Sequence, residues 1–114
     1  MKTILIVDND DAFRNTVGTA FAHRGYLVIG LRPIPLLFDT IEKERIDILI
    51  ISEHLLCDCG ERIACLLPLR NREVSVISVN ATGKASQGAD HLDIAGSWKR
   101  AEGVSLLIER VEHV

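Results

Sequence analysis

The sequence predicts a single α/β domain, built as a doubly wound, five-stranded parallel sheet flanked by helices. Short, uninterrupted apolar runs, which are typical of strands covered on both faces, alternate with segments whose apolar residues recur at helical spacing. The connections are short, and no internal repeat or linker interrupts the alternation. The chain has 114 residues, 47% of them hydrophobic, which suffices for one core and leaves no room for a second domain. We therefore expect residues 1–114 to form one domain.

The first strand and the first helix have the clearest signals. Thr3 to Val7 is a continuous apolar run, and the polar cluster Asp8-Asn9-Asp10-Asp11 follows at once. Asp and Asn side chains at a helix start accept hydrogen bonds from backbone N–H groups, so we expect this cluster to cap a helix that ends at Gly25. The helix itself is predicted from apolar residues at helical spacing: Phe13, Val17, Ala20 and Phe21.

The third strand is the most hydrophobic of the candidates. Tyr26 to Leu31 predicts the second strand, and a helix follows that two prolines open and the charged stretch Glu42 to Arg45 closes. Ile46 to Ile51 is then apolar and largely β-branched, a composition that suits the centre of a parallel sheet. Ser52 is expected at the carboxyl end of this strand.

The second half of the chain continues the alternation with weaker signals. After the third strand we expect a loop through Gly60, a helix that Pro68 kinks or ends, and a strand from Val74 to Val79. Residues 81–88 are small and polar and allow only a short, weak helix, and a fifth strand is expected within His91 to Lys99. The last helix is predicted from one apolar stripe: Val104, Leu107, Ile108, Val111 and Val114.

Charge and hydropathy argue against two classes of ligand. The net charge is -3, the isoelectric point is near 5.8, and the 13 Lys and Arg residues are scattered, so we expect no nucleic-acid binding. No apolar stretch approaches the roughly 18 residues that a membrane span needs, and the first residues lead into a strand rather than a leader. We therefore predict a cytoplasmic protein without membrane association.

Three polar residues are predicted to meet at one edge of the sheet. Ligands of doubly wound sheets bind at the carboxyl ends of the strands, where the winding reverses. Asp8 follows the first strand, Ser52 ends the third, and Asn80 follows the fourth. The acidic residues near Asp8 suit either helix capping or a cation, and capping is the favoured role.

The chain resembles a response-regulator receiver domain, a CheY-like fold of flavodoxin-like topology, over nearly its full length. Ile4 to Asp10 resembles that family's strand-one signature, and Asp47 to Ser52 its strand-three signature. Gly25-Tyr26 matches the glycine and aromatic before strand two, and Gly60 matches the glycine that opens helix three after the acceptor loop. Receivers accept a phosphoryl group from a histidine kinase on an aspartate that ends strand three, with Mg²⁺ held by that aspartate and an acidic pair.

The resemblance implies that most of this chemistry is altered here. Ser52 occupies the acceptor position, Asn9 replaces the second acid of the pair, and Asn80 stands where the family has its switch hydroxyl, so that Asp8 alone is plainly kept. The family lysine falls on Ala95 in one alignment and on Lys99 in another, with Ala95 slightly favoured. The segment after residue 80 is also short for the family, which implies that helix four, between strands four and five, is shortened or lost.

These departures predict a pseudo-receiver: a non-enzymatic module that binds proteins without phosphorylation. The expected partner is a signalling protein, such as a histidine kinase or a regulator, or a second copy of the chain. Trp98 lies on the side that receivers often use for dimerisation and is a candidate interface residue, with core packing as the alternative. No cofactor is expected, because one carboxylate and an asparagine are a poor Mg²⁺ site. A phosphorelay receiver with an unusual acceptor is a second alternative.

A thiol-redox or metal-sensing module is the first alternative. His54, Cys57, Cys59 and Cys65 are four soft-metal ligands just beyond the altered pocket. Cys59, expected just ahead of a helix N-terminus, would then have a lowered pKa and a reactive thiol. Against this, Cys-x-Cys is not the usual zinc knuckle, and Cys65 lies among apolar residues as a buried cysteine would.

Overall fold

The computed structural model describes residues 2–31, 36–70, 74–80, 94–99 and 103–112, with the backbone alone at 57, 67–70, 80 and 94–99. The elements in chain order are β1 Thr3–Val7, α1 Asp11–His23, β2 Leu27–Leu31, α2 Leu36–Lys43, β3 Ile48–Ser52, α3 Glu53–Arg70, β4 Ser75–Asn80, β5 Ile94–Lys99 and α4 Val104–Glu112. Among these residues, no helix is long and apolar enough to cross a membrane.

The five strands form one parallel sheet in the order β2-β1-β3-β4-β5. This confirms the predicted fold class, because a parallel sheet in this order is doubly wound and reverses its winding between β1 and β3. The predicted shortening of helix four concerns residues 81–93, which lie outside the described part of the chain. The last helix is confirmed as α4, although Val114 lies outside the described residues.

The sheet is covered on both faces, and alternate residues of β3 supply the two cores. Leu49 and Ile51 pack with α2 and α3, whereas Ile48 and Ile50 pack with α1 and α4. All four side chains are buried. The continuous apolar run is therefore explained by burial on both faces rather than on one.

Asp47 aligns the starts of three strands. Its carboxylate accepts a hydrogen bond from the Thr3 N–H at 2.8 Å, and its own N–H donates to the Thr3 carbonyl at 3.0 Å. Its carbonyl accepts from the Ser75 N–H, also at 3.0 Å. These bonds place Asp47 before β3, so the strand begins at Ile48 rather than at the predicted Ile46. They also set the relative register of β1, β3 and β4. The carboxyl ends of these strands, where the candidate site lies, are therefore at the same height.

Helix α3 corrects the sequence prediction most strongly. The expected loop between Ser52 and Gly60 is helical, since α3 begins at Glu53 and continues past Pro68 to Arg70. Gly60 is buried inside this helix and does not open it. A glycine inside a helix costs about 1 kcal/mol relative to alanine. The packing of one apolar helix face against the sheet outweighs that cost, and the face comprises Leu55, Leu56, Cys59 and Ile63.

The remaining boundaries shift by one residue. Strand β2 begins at Leu27 instead of Tyr26, whose ring stacks edge-on against Phe21 with centroids 5.4 Å apart. Strand β4 runs from Ser75 to Asn80. Gly25 ends the first helix as predicted, with a φ of 91° that residues bearing a Cβ rarely adopt.

Candidate functional site

The strand register brings the sequence-predicted pocket residues to one edge. Val7 of β1 pairs with Ile51 of β3, so Asp8, directly after β1, and Ser52, the last residue of β3, lie at the same level. Ser52 pairs in turn with Val79, which places Asn80 one residue beyond. Asn80 pairs with Lys99. The backbone positions of all four residues therefore lie along the carboxyl edge of the sheet.

Register also bears on the ambiguous lysine position. Lys99 ends β5 beside Asn80, whereas Ala95 lies near the opposite end of that strand. Of these two candidates, Lys99 therefore has its backbone at the carboxyl edge of the sheet, and Ala95 does not. Trp98 pairs with Val79 one position earlier on the same strand.

Asp8 is a buried carboxylate that shapes the turn after β1. Its side chain is only 3% exposed, and its Oδ1 accepts a hydrogen bond from the Asp10 N–H at 2.9 Å. Its own N–H donates to the Leu31 carbonyl at 3.2 Å, which fixes the end of β1 to β2. Asn9 between them is exposed. The turn thus holds the carboxylate of Asp8 inside and leaves the amide of Asn9 in solvent.

Asp10 caps helix α1, which confirms the favoured capping role of the acidic cluster. Its carboxylate accepts a hydrogen bond from the Phe13 N–H at 3.1 Å. Arg14 reaches back from the first turn, donates to the Asp8 carbonyl and forms an ion pair with Asp11. The sequence analysis missed this arginine, although its spacing of three residues from Asp11 is that of a helical ion pair.

Ser52 lies half-buried at the end of β3, and α3 begins at the next residue. A serine hydroxyl is neutral at physiological pH and needs an adjacent base to become a nucleophile. His54 does not serve as that base, because its exposed ring pairs with Asp58 one turn along α3, Nε2 to Oδ2 at 3.6 Å. The described surroundings of Ser52 provide a hydroxyl beside a buried carboxylate.

The proposed soft-metal ligands all lie on α3 rather than on a loop. His54 and Cys65 are exposed, and eleven residues of helix separate them, which is about three turns or roughly 16 Å. Cys59 faces the core. Among the residues that the structure describes, no three His, Cys, Asp or Glu side chains gather as a metal site would require.

The environment of Cys59 is the reverse of the expected one. It lies inside α3 with its side chain buried, so the expectation of a thiol just ahead of a helix N-terminus is wrong. Burial raises the pKa of the Cys59 thiol; the neighbouring Asp58 raises it further, and Arg62 opposes the shift. A raised pKa disfavours the thiolate, which is the reactive form.

No protein-family model matches the sequence, and no curated protein matches it. Solved structures do match: a chemotaxis response regulator of Vibrio cholerae has a TM-score of 0.84 at 14% identity, over 99% of this chain and 98% of its own.

Two further solved structures have the same fold. One comes from a complex of two proteins, and the other contains a metal ion. A chain from the complex of histidine kinase ThkA with response regulator protein TrrA has a TM-score of 0.76 at 16% identity, covering 99% of this chain and 97% of that one. The receiver domain of a sensor histidine kinase from Pseudomonas aeruginosa, solved with magnesium in its active-site cleft, has a TM-score of 0.74 at 15% identity, covering 98% and 95%. The chain therefore has the fold of response-regulator receiver domains.

Removal of the helix cap should weaken the fold in a measurable way. We expect Asp10→Ala to lower the free energy of unfolding by about 1 kcal/mol, because the Phe13 N–H loses its acceptor. Asp10→Asn keeps an acceptor oxygen and should lose only a few tenths of that. Urea unfolding measures both variants. Equal losses would mean that the charge of Asp10, not its hydrogen bond, matters.

Cys59 and Cys65 should differ in reactivity. Two variants retain one described thiol each: Cys57→Ser/Cys65→Ser keeps Cys59, and Cys57→Ser/Cys59→Ser keeps Cys65. At pH 8 we expect Ellman's reagent to label Cys59 at least about tenfold more slowly, because its thiol is buried and its pKa is raised. Denaturant should bring the two rates together. Equal rates in the native protein would contradict the burial of Cys59.

Proposed function

We propose that this chain is a receiver-like module of signal transduction that binds other proteins without being phosphorylated. The observation that carries the proposal is Ser52 at the carboxyl end of the central strand, where the resemblance implies a phosphoryl-accepting aspartate. The fold is that of a receiver domain, but the residue at the expected acceptor position is Ser52 rather than an aspartate.

The chemistry of the acceptor supports a loss of phosphoryl exchange. An aspartate forms an acyl phosphate, which is labile enough for rapid reversal, whereas a serine phosphate is a stable ester. Phosphoryl transfer also depends on a metal ion that neutralises the developing charge on the phosphoryl oxygens. A serine in place of the aspartate removes one carboxylate from the metal site and changes the product of transfer.

The described polar groups near Ser52 support weak cation binding at best. Asp8 is buried and its Oδ1 already accepts a backbone hydrogen bond, and Asn9 contributes a neutral amide that is exposed. Asp10 and Asp11 bond to the start of α1 and to Arg14. Hard divalent cations prefer several carboxylate oxygens around one point. Mg²⁺ is therefore not expected to occupy this edge at physiological concentrations.

The proposed partner is a signalling protein, either a histidine kinase or a regulator. A chain of the same fold comes from a complex of a histidine kinase with a response regulator, which supports a protein partner for this fold. A second copy of the chain is the other partner that we propose. The thiol or metal alternative gains no support from the described residues, because His54 and Cys65 lie about three turns apart along α3 and Cys59 faces the core.

Amide spectra with a phosphoryl mimic test the proposal. We expect Mg²⁺ with beryllofluoride to leave the ¹⁵N-labelled protein unchanged, because no carboxylate stands at position 52 to bind the mimic. The matched variant Asn9→Asp/Ser52→Asp restores both carboxylates and should show localised shifts around residues 8 and 52. The same shifts in the unmodified protein would mean that the pocket still responds and that the proposal is wrong.

A further inference from the structure

Strand β2 is an edge strand whose own residues carry no charge, proline or bulge. It is the first strand in the sheet order, and within the described residues it pairs with β1 alone. Its five residues, Leu27–Leu31, contain no charge and no proline, and its register with β1 is unbroken. Natural edge strands are usually blunted by lysine, proline, a bulge or an inward charge, because an unprotected edge pairs with other strands.

The backbone N–H and C=O groups of two of the five β2 residues point away from the sheet. The Leu27 N–H donates to the Lys2 carbonyl at 3.0 Å, and the Leu31 carbonyl accepts from the Asp8 N–H at 3.2 Å. Parallel pairing uses alternate residues, so Leu27, Ile29 and Leu31 bond to β1. The N–H and C=O groups of Val28 and Gly30 therefore face the open edge.

Gly30 leaves open space on the side of β2 that faces α1. Gly30 is exposed and lines a groove of about 450 Å³ between α1 and β2. A Cβ at this position would lie 3.9 Å from the nearest atom, Arg14 Cδ, which is ordinary contact, and the φ of Gly30 is not positive. The fold does not require glycine here, and glycine inside a strand often marks the close approach of another backbone.

We propose that the β2 edge is a self-association surface, on which β2 of a second copy pairs antiparallel about a two-fold axis at Ile29. In this register Val28 of each copy lies opposite Gly30 of the other, and their outward N–H and C=O groups pair with each other. Leu27, which is 54% exposed, lies opposite Leu31 of the second copy and becomes covered. The sheet becomes continuous across two chains.

The composition of β2 favours a second copy of the chain as its partner, rather than a different protein. Self-pairing places like residues near one another, and like charges on facing strands are destabilising, but β2 carries no charge. A two-fold interface must be self-complementary, and the alternating donors and acceptors of Val28 and Gly30 satisfy that requirement. The contact is one short strand, so the association is weak and depends on concentration. It deepens the proposed function, on which it rests for the role of the dimer, by naming the surface for a second copy.

The test compares two leucines that are similarly exposed. Leu27→Lys places a charge on the edge, and Leu36→Lys places one on α2, where Leu36 is 58% exposed. Sedimentation equilibrium of the full chain, up to about 1 mM, measures the association constant. We expect dimers in the unmodified protein, a loss of about tenfold or more in association for Leu27→Lys, and no more than about a twofold change for Leu36→Lys.

Hydrogen exchange on the same samples identifies the surface. The Val28 and Gly30 amides should become protected as concentration rises, whereas the Leu27, Ile29 and Leu31 amides stay protected throughout because they bond to β1. A monomer at all concentrations would overturn the inference, as would dimers in which the Val28 and Gly30 amides exchange freely. Protection of these two amides at the lowest concentration, or equal effects of the two lysine variants, would also overturn it. The outcome is independent of the beryllofluoride response, so each proposal fails separately.

Discussion

Burial of β3 on both faces, together with the anchoring of its start by Asp47, is the constraint on which the rest of the structure depends. Both faces of this strand are apolar, so hydrophobic alternation alone would not fix its register, because a slip of one residue would still bury apolar side chains. The hydrogen bonds of Asp47 to Thr3 and from Ser75 remove that freedom. The strand ends are level as a result, and Asp8 and Ser52 reach the same edge of the sheet.

In this arrangement, the residues that stabilise the fold differ from the polar residues at the carboxyl edge of the sheet. Apolar residues inside the sheet hold the strands, whereas the residues that follow them contribute little to the core and can change without altering the topology. Asp8 combines both roles, because its buried carboxylate shapes the turn that leads to the Asp10 cap. The topology therefore does not depend on which polar residues stand at positions 9 and 52, and the function that we propose for this edge is protein binding rather than phosphoryl exchange.

The sequence predicted the elements whose local pattern and tertiary setting agree. Strand β1 and helix α1 have an apolar run, a cap and a terminal glycine, and the structure confirms them. Helix α3 was missed at its start because Gly60 suggested a loop, although Leu55, Leu56, Cys59 and Ile63 already had helical spacing. The pKa of Cys59 depends on which side of that helix faces the sheet, and the position of Lys99 depends on pairing with β4. The pairing that places Lys99 is not encoded in local spacing, whereas the spacing of the apolar residues already marks the side of α3 that faces the sheet.

The most direct test of the altered pocket is whether the chain accepts a phosphoryl group at all. Intact-mass spectrometry after incubation with acetyl phosphate and Mg²⁺ measures this, with the Asn9→Asp/Ser52→Asp variant treated in parallel. The unmodified protein should retain its original mass, because position 52 has a neutral hydroxyl in place of a carboxylate and the carboxylate of Asp8 is buried and hydrogen-bonded. A stoichiometric phosphoryl adduct on Ser52 or Asp8 of the unmodified protein would contradict the proposed function.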